Sequence, residues 1–301
     1  MAWRKLGQLY APQPVHAKLA SHAANPLAVH REGNIYRIFY SGRDGLKRSS
    51  VGYVDADITT VQLLEVGQAP VFEHGPVGSF YEAGVSIGNV YTAGDQRYML
   101  FMGWQNPPGG HWRGDIGRLK LHDDLSLMID APTPFLGSDA TDPLSLSYPW
   151  VEARDSGGFD MWYGSTLAWD AGNGEMLHVI NHATSSDGDS WQRNGQAVPS
   201  VENLAQAFSR PTVLRDQQGE HMWFSYRGLP GQPYRIGYAF KEVGGEWQLQ
   251  LDRAGIDVSA TGWDSEMICY PFVFDHGGNR YMLYNGNGYG KTGFGLAVWD
   301  A

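Results

Sequence analysis

Polar and aromatic residues recur at two matching kinds of place in this chain: at the start of short apolar segments, and at the end of aromatic-rich ones. The first kind includes His22, Asn25, Glu82, Tyr148, Arg210 and Glu266; the second includes Arg43, Asp44, Trp104, Arg227 and Asn285. Carboxylates, guanidinium groups, amides and aromatic rings gathered at one place are what a carbohydrate site needs. Amides and charges bond hydroxyls, and indole and phenol faces cover sugar rings. The basic residues add a second expectation. His22, Arg43, Arg210 and Arg227 would together suit an anionic group, because guanidinium forks fit carboxylate and phosphate bidentately. The ligand is then a uronic or nonulosonic acid unit, or a phosphate. The alternative is that the arginines pair internally with Glu82, Glu266 and Asp44, and Asp44 in particular stands next to Arg43.

What must bring these residues together is a repeat. Five times, a short apolar segment leads after roughly 15 residues into an aromatic-rich run, and then into a third run, with a period of about 60 residues. Four of the opening segments hold a proline: Asn25-Pro26-Leu27, Tyr148-Pro149-Trp150, Arg210-Pro211-Thr212 and Tyr270-Pro271-Phe272; the remaining one reads Glu82-Ala83-Gly84-Val85. The middle runs, such as Tyr36-Arg37-Ile38-Phe39-Tyr40 and Tyr281-Met282-Leu283-Tyr284, are bounded by Gly, Asn or Asp, which marks strands and turns. Helical periodicity is nearly absent, with one short turn expected over Val201 to Ala207.

The repeat predicts an all-β chain folded as a five-bladed β-propeller. It forms one domain over 1–301, with blades at 20–60, 80–125, 145–192, 207–250 and 264–300. In a propeller the first strand of each blade lines the central channel and the second returns antiparallel to it. Starts of first strands and ends of second strands therefore meet at one rim, which unites the two sets of residues above.

Composition sets the remaining bounds. The 301 residues are 42% hydrophobic and 13% aromatic, and 39 Gly with 16 Pro suit many tight turns. A formal charge of −10 argues against a nucleic-acid partner, since phosphate backbones are held by basic surface. The single cysteine, Cys269, excludes an internal disulfide and reads as a buried inert thiol. With no signal-like or membrane-length apolar run, a cytoplasmic protein without a membrane partner is expected. Oligomeric state is not legible.

The order of segments, the Asn-Pro opening, the Tyr-Ser-Gly strand end at 40–42 and the run Ala183-Thr184-Ser185-Ser186-Asp187-Gly188-Asp189-Ser190-Trp191 resemble the five-bladed propeller glycosidases. That superfamily includes the arabinanase and β-xylosidase, invertase and levansucrase, and mannoside phosphorylase families. More narrowly, Cys269 to Phe274 with Tyr284 to Gly295 resembles a bacterial group linked to surface-polysaccharide genes. The resemblance implies paired carboxylates at first-strand starts of different blades, but the usual blade-one aspartate is Asn25 here, and an amide cannot accept a proton or attack an anomeric carbon.

Hydrolysis would then fall to Glu82 and Glu266, one protonating the leaving oxygen and the other activating water or attacking directly. Glu266 is expected to be the acid, through apolar neighbours Met267, Ile268 and Tyr270. Asp44 and Asp264 are reserves, Asp264 being more readily a turn residue of Gly262-Trp263-Asp264-Ser265. Phosphorolysis and glycosyl transfer are variants of the same reading. The other class is a non-catalytic carbohydrate-binding propeller, which Asn25 favours.

No cofactor or metal is expected. His178 and His182 are four apart in a strand, where that spacing is not a helical ligand pair, and Asp187-Gly188-Asp189 reads as a hairpin turn. The loop from Gly103 to Trp112 holds two tryptophans that suit a sugar platform or a lid.

Overall fold

The aromatic and β-branched runs become strands, and each antiparallel group of them is closed by Gly- and Asn-rich turns. The computed structural model describes residues 2–300. Strand β1 (Ala2–Tyr10) comes first. A meander follows, of β2 (Ser21–Glu32), β3 (Ile35–Arg43), β4 (Ser49–Asp57) and β5 (Gln62–Val66), and then another, of β6 (Gly84–Ala93), β7 (Gln96–Gln105), β8 (Arg113–Leu121) and β9 (Leu127–Ile129). The next is β10 (Ser145–Ala153), β11 (Phe159–Ala168), β12 (Leu177–Ser185) and β13 (Gln192–Gln196), followed by β14 (Ala207–Asp216), β15 (Gly219–Arg227), β16 (Arg235–Glu242) and β17 (Gln248–Leu249). The last group is β18 (Cys269–His276), β19 (Asn279–Asn285) and β20 (Phe294–Asp300), and β1 completes it by pairing antiparallel with β20.

The opening strands touch in a closed cycle: β2 meets β6, β6 meets β10, β10 meets β14, β14 meets β18, and β18 meets β2. This is a β-propeller, and each antiparallel group reads as one blade. Apolar side chains between the groups form the core. Phe39, Phe101, Phe208, Phe224 and Phe294 are fully buried, each contributing about 1.5–3 kcal/mol by leaving water.

The segment expected to be helical near Val201 is a turn closed by a bridge between Val201 and Ala205. The one α-helix among the described residues is α1 (Asn287–Gly290).

One irregularity is repeated in every opening strand. In β2, Ala24 pairs with Ser41 and Leu27 with Phe39, so three steps on one strand meet two on the other. The same extra residue falls between Ile87 and Val90, Ser147 and Trp150, Ser209 and Thr212, and Cys269 and Phe272. Each is a β-bulge, which bends its strand and re-aims one side chain. In four of them the residue ahead of proline has positive φ: Asn25 at 55°, Tyr148 at 38°, Arg210 at 50° and Tyr270 at 54°. Pre-proline residues normally stay extended, so the tertiary structure holds these four in strained backbone. Proline suits the next place because a bulge leaves one ladder donor unused.

Candidate functional site

The bulges border a central cavity of about 310 Å³. Asn25, Tyr148 and Tyr270 line it from their bulges, with Ser41, Ser49, Ser86, Ser147 and Ser209 beside them. Arg43, Trp104 and Arg227 reach it from the ends of β3, β7 and β15, and Trp112, Met176, His178, Tyr234 and Tyr289 close the wall. Among the described residues, no carboxylate side chain is in that wall.

The two arginines differ. Arg227 is neutralised: its Nη2 donates to Glu175 Oε1 at 2.9 Å, its Nε lies 2.8 Å from Glu175 Oε2, and Glu175 is buried. Its guanidinium also lies 5.0 Å from the centre of the Tyr234 ring. Arg43 is half-buried in the wall and has no acidic partner among the described residues. Arg43 is therefore the uncompensated charge of the cavity, and it is positive.

The remaining polar groups are neutral donors and acceptors. Burial pushes the hydroxyls of Tyr148, Tyr234 and Tyr270 up, so they remain protonated. Burial pushes His178 down to about 4, leaving a neutral ring between Ser147 Oγ and Thr166 Oγ1, each at 2.7 Å. Asn25 Oδ1 and Ser209 Oγ are buried without a partner. An unpartnered buried acceptor costs about 1–3 kcal/mol, which a ligand hydroxyl would recover.

The loop after β7 is held to the next blade by stacked rings. His111 lies over Trp169 at 4.5 Å and 12°, and Trp112 meets Trp169 edge-on at 5.0 Å. Trp104 and Trp112 thus both present indole surface to the cavity, Trp104 being fixed by a bond from its Nε1 to Ser49 Oγ at 3.2 Å.

Of the residues singled out by sequence, Asn25, Arg43, Trp104, Trp112, Tyr148 and Arg227 meet in this cavity. The others do not. Glu82 turns back into its own loop, where Oε2 accepts the Gly78 N–H at 2.5 Å. Glu266 is exposed, so the apolar surroundings expected for an acid are absent; the last blade faces the cavity with Tyr270, four positions further on. The physical reason is position: Glu266 lies in the loop before β18 begins at Cys269, whereas Tyr270 sits in the bulge that re-aims its side chain.

Asp44 closes a turn, accepting the N–H groups of Leu46 and Arg48 and the Arg48 Nε at 2.8 Å, rather than pairing with Arg43. Asp264, expected in a local turn, accepts Lys5 Nζ at 2.7 Å and the Tyr284 hydroxyl at 3.1 Å. His22 sits beside Arg43 and Lys291 without lining the cavity; burial first, and then those cations, push it down to about 4.

Arg210 and Asn285 are structural. Arg210 is 2% exposed and donates to the carbonyls of Tyr270 at 2.8 Å, Pro26 at 2.8 Å and Gly88 at 3.4 Å. Its guanidinium ties together the bulges of three other blades. Asn285 accepts the Asn25 N–H and donates to the carbonyls of Ala23 and Gly293. Sequence reading missed Glu175 and Tyr234, which carry no motif, weighed His178 only as a metal ligand, and gave Tyr289 no role although it lies in the quoted run Tyr284 to Gly295; only the closed ring brings them together.

No family model matches the chain. Two Mycobacterium tuberculosis proteins do: uncharacterized protein MT1551 of strain CDC 1551 / Oshkosh and uncharacterized protein Rv1502 of strain H37Rv. Each is 43% identical over 302 residues, covering 100% of this chain and 100% of its own. The chain belongs to the family of these mycobacterial proteins. Among solved structures it is similar to a glycoside hydrolase (TM-score 0.74, 14% identity, 98% of this chain and 90% of that one). It is also similar to BT0996 in its RGII complex (TM-score 0.73, 15% identity, 98% and 90%). A third is a structure from the GH130 family of mannoside phosphorylases, which contains hydrolases that target β-1,2 mannosidic linkages in Candida mannan (TM-score 0.69, 12% identity, 100% and 90%). The family's fold is thus the propeller of these glycoside hydrolases. Among the described residues no helix is long and apolar enough to cross a membrane.

Proposed function

We propose that this protein handles carbohydrate in its central cavity and that the unit held there carries a negative charge. The observation that carries the reading is an indole- and phenol-lined cavity whose one uncompensated charge is Arg43. Tyr and Ser hydroxyls and the unpartnered Asn25 Oδ1 supply neutral partners for sugar hydroxyls. A carboxylate or phosphate meeting Arg43 would form a charge-assisted bond in a site shielded from water, stronger than a neutral one.

Fold likeness to glycoside hydrolases supports the substrate class. The reaction is a separate matter, because fold does not fix chemistry. Two-carboxylate hydrolysis needs acid and base flanking one bond, and here Glu82 and Glu266 stand outside the cavity while Glu175 is engaged by Arg227. The geometry favours recognition over hydrolysis.

Calorimetric titration with methyl glucuronide and methyl glucoside, on wild type and Arg43→Ala, tests this reading. Preferential binding of the acid, lost by at least about tenfold in the variant, supports it. Equal affinity for both sugars, or indifference to Arg43→Ala, would sink it. A parallel hydrolysis assay that found turnover would restore an enzymatic role and require other catalytic groups.

A further inference from the structure

A second cavity lies between the third and fourth blades, towards the rim opposite the first, where second strands start and third strands end. It measures about 200 Å³, and its wall includes Trp162, Trp247, Glu220 and Lys241. Two of its polar atoms are buried and unpartnered: Trp162 Nε1, a donor in a residue 1% exposed, and Glu220 Oε2, an acceptor. The neighbouring Trp150, on the strand paired with that of Trp162, has a partner, its Nε1 donating to Glu152 at 2.8 Å; the Nε1 groups of Trp3, Trp191 and Trp223 are buried without one, and Trp162 differs from them in lining this cavity. Leaving Trp162 without such a partner costs about 1–3 kcal/mol unless something enters the cavity to accept from it.

The wall states what could enter. Trp162 and Trp247 meet at 89° with centroids 6.2 Å apart, presenting apolar ring surface beside polar groups. Asp160 is already served by His182 at 2.9 Å and Arg215 at 2.6 Å. Glu220 has Arg215 and Lys241 only at 3.6 and 3.7 Å, both towards Oε1. Acidic wall residues outnumber basic ones, since Asp160, Glu220 and Glu246 face Lys241, which disfavours an anion. The occupant must accept from an indole N–H, donate to a carboxylate oxygen, and cover an aromatic face with C–H groups. A hydroxyl both accepts and donates, and a pyranose presents several on an otherwise apolar ring.

We infer that this cavity is a second carbohydrate site, taking a neutral sugar unit between Trp162, Trp247 and Glu220. It is independent of the central cavity and opposite to it in charge preference. Two sites on opposite rims would let one protein engage two units of a long glycan or two separate glycans at once.

Saturation-transfer NMR on the full-length protein with methyl glucoside, methyl galactoside and methyl mannoside reads the site directly. At least one is expected to show transfer, and Asn194→Trp, placing a large ring at an exposed position of the wall, to weaken it at least about tenfold. Glu220→Gln keeps the shape but not the charge, and is expected to weaken binding several-fold. Neither variant should change methyl glucuronide affinity at the central cavity, which separates this inference from the one on that cavity. Absence of transfer for all three glycosides, or persistence of the full signal through both Asn194→Trp and Glu220→Gln, would each overturn it. The first of these outcomes would mean that water satisfies the two orphaned atoms.

Discussion

Ser147 Oγ and His178 Nε2 stand 2.7 Å apart across β10 and β12, in space that exists because the residue between them on β11 is glycine. A Cβ on Gly164 would fall well inside the van der Waals reach of both that oxygen and that nitrogen. Gly164→Ala is therefore expected to push the pair apart, destabilise the fold by about 1–3 kcal/mol and weaken central-cavity binding. Denaturant unfolding and calorimetry read the two effects, and an unchanged midpoint with unchanged affinity would show the pair to be incidental.

Arg210 and Arg43 are expected to separate cleanly. Arg210→Ala strips three carbonyls of their donor at the propeller axis, and about 3–5 kcal/mol of stability should go with it. Arg43→Ala should change stability by less than about 0.5 kcal/mol, since no ion pair of the protein is lost with it. Urea midpoints for both variants decide the matter; comparable losses would mean that Arg43 has a structural partner after all.

Asn25→Asp places a carboxylate in a cavity that has none. Repulsion should lower affinity for methyl glucuronide at least about tenfold while sparing methyl glucoside. Equal effects on both would point to altered shape rather than charge.

Glu152 ties stability to pH. Burial pushes its carboxyl from 4.5 up to about 7, against weaker lowering by the Trp150 bond and Arg215. Between those two values the unfolded chain has lost the proton that the folded one keeps. The contribution of Glu152 is thus fully present below about 4.5 and is lost as pH rises through about 7. Glu152→Gln should match wild type at pH 4 and exceed it at pH 8 by up to about 3 kcal/mol. Melting temperatures across that range provide the check, and an offset independent of pH would refute the linkage.

The propeller was legible in the sequence because its signals are local. Aromatic runs with glycine ends mark inner strands, and the prolines at 26, 149, 211 and 271 mark the bulges. The outer strands were not, since β5 is almost wholly exposed and has no apolar alternation to read. For the site, the rim was found but the direction of side chains was not. Glu266 falls in the loop ahead of β18, while the bulges re-aim side chains within the strands, so Tyr270 faces the cavity and Arg210 turns to neighbouring carbonyls. Likewise Glu175 and Tyr289 enter through contacts that no linear spacing reports.

The pairing of Ala2 with Asp300 has a consequence for how the molecule is made. A ribosome adding about 5–20 residues per second would leave β1 waiting roughly 15–60 s for β20, its backbone donors and acceptors open to other strands meanwhile. The last sheet can close only once β20 has emerged, so ring closure should be the slow step of biogenesis, and β1 its point of greatest exposure to misassembly.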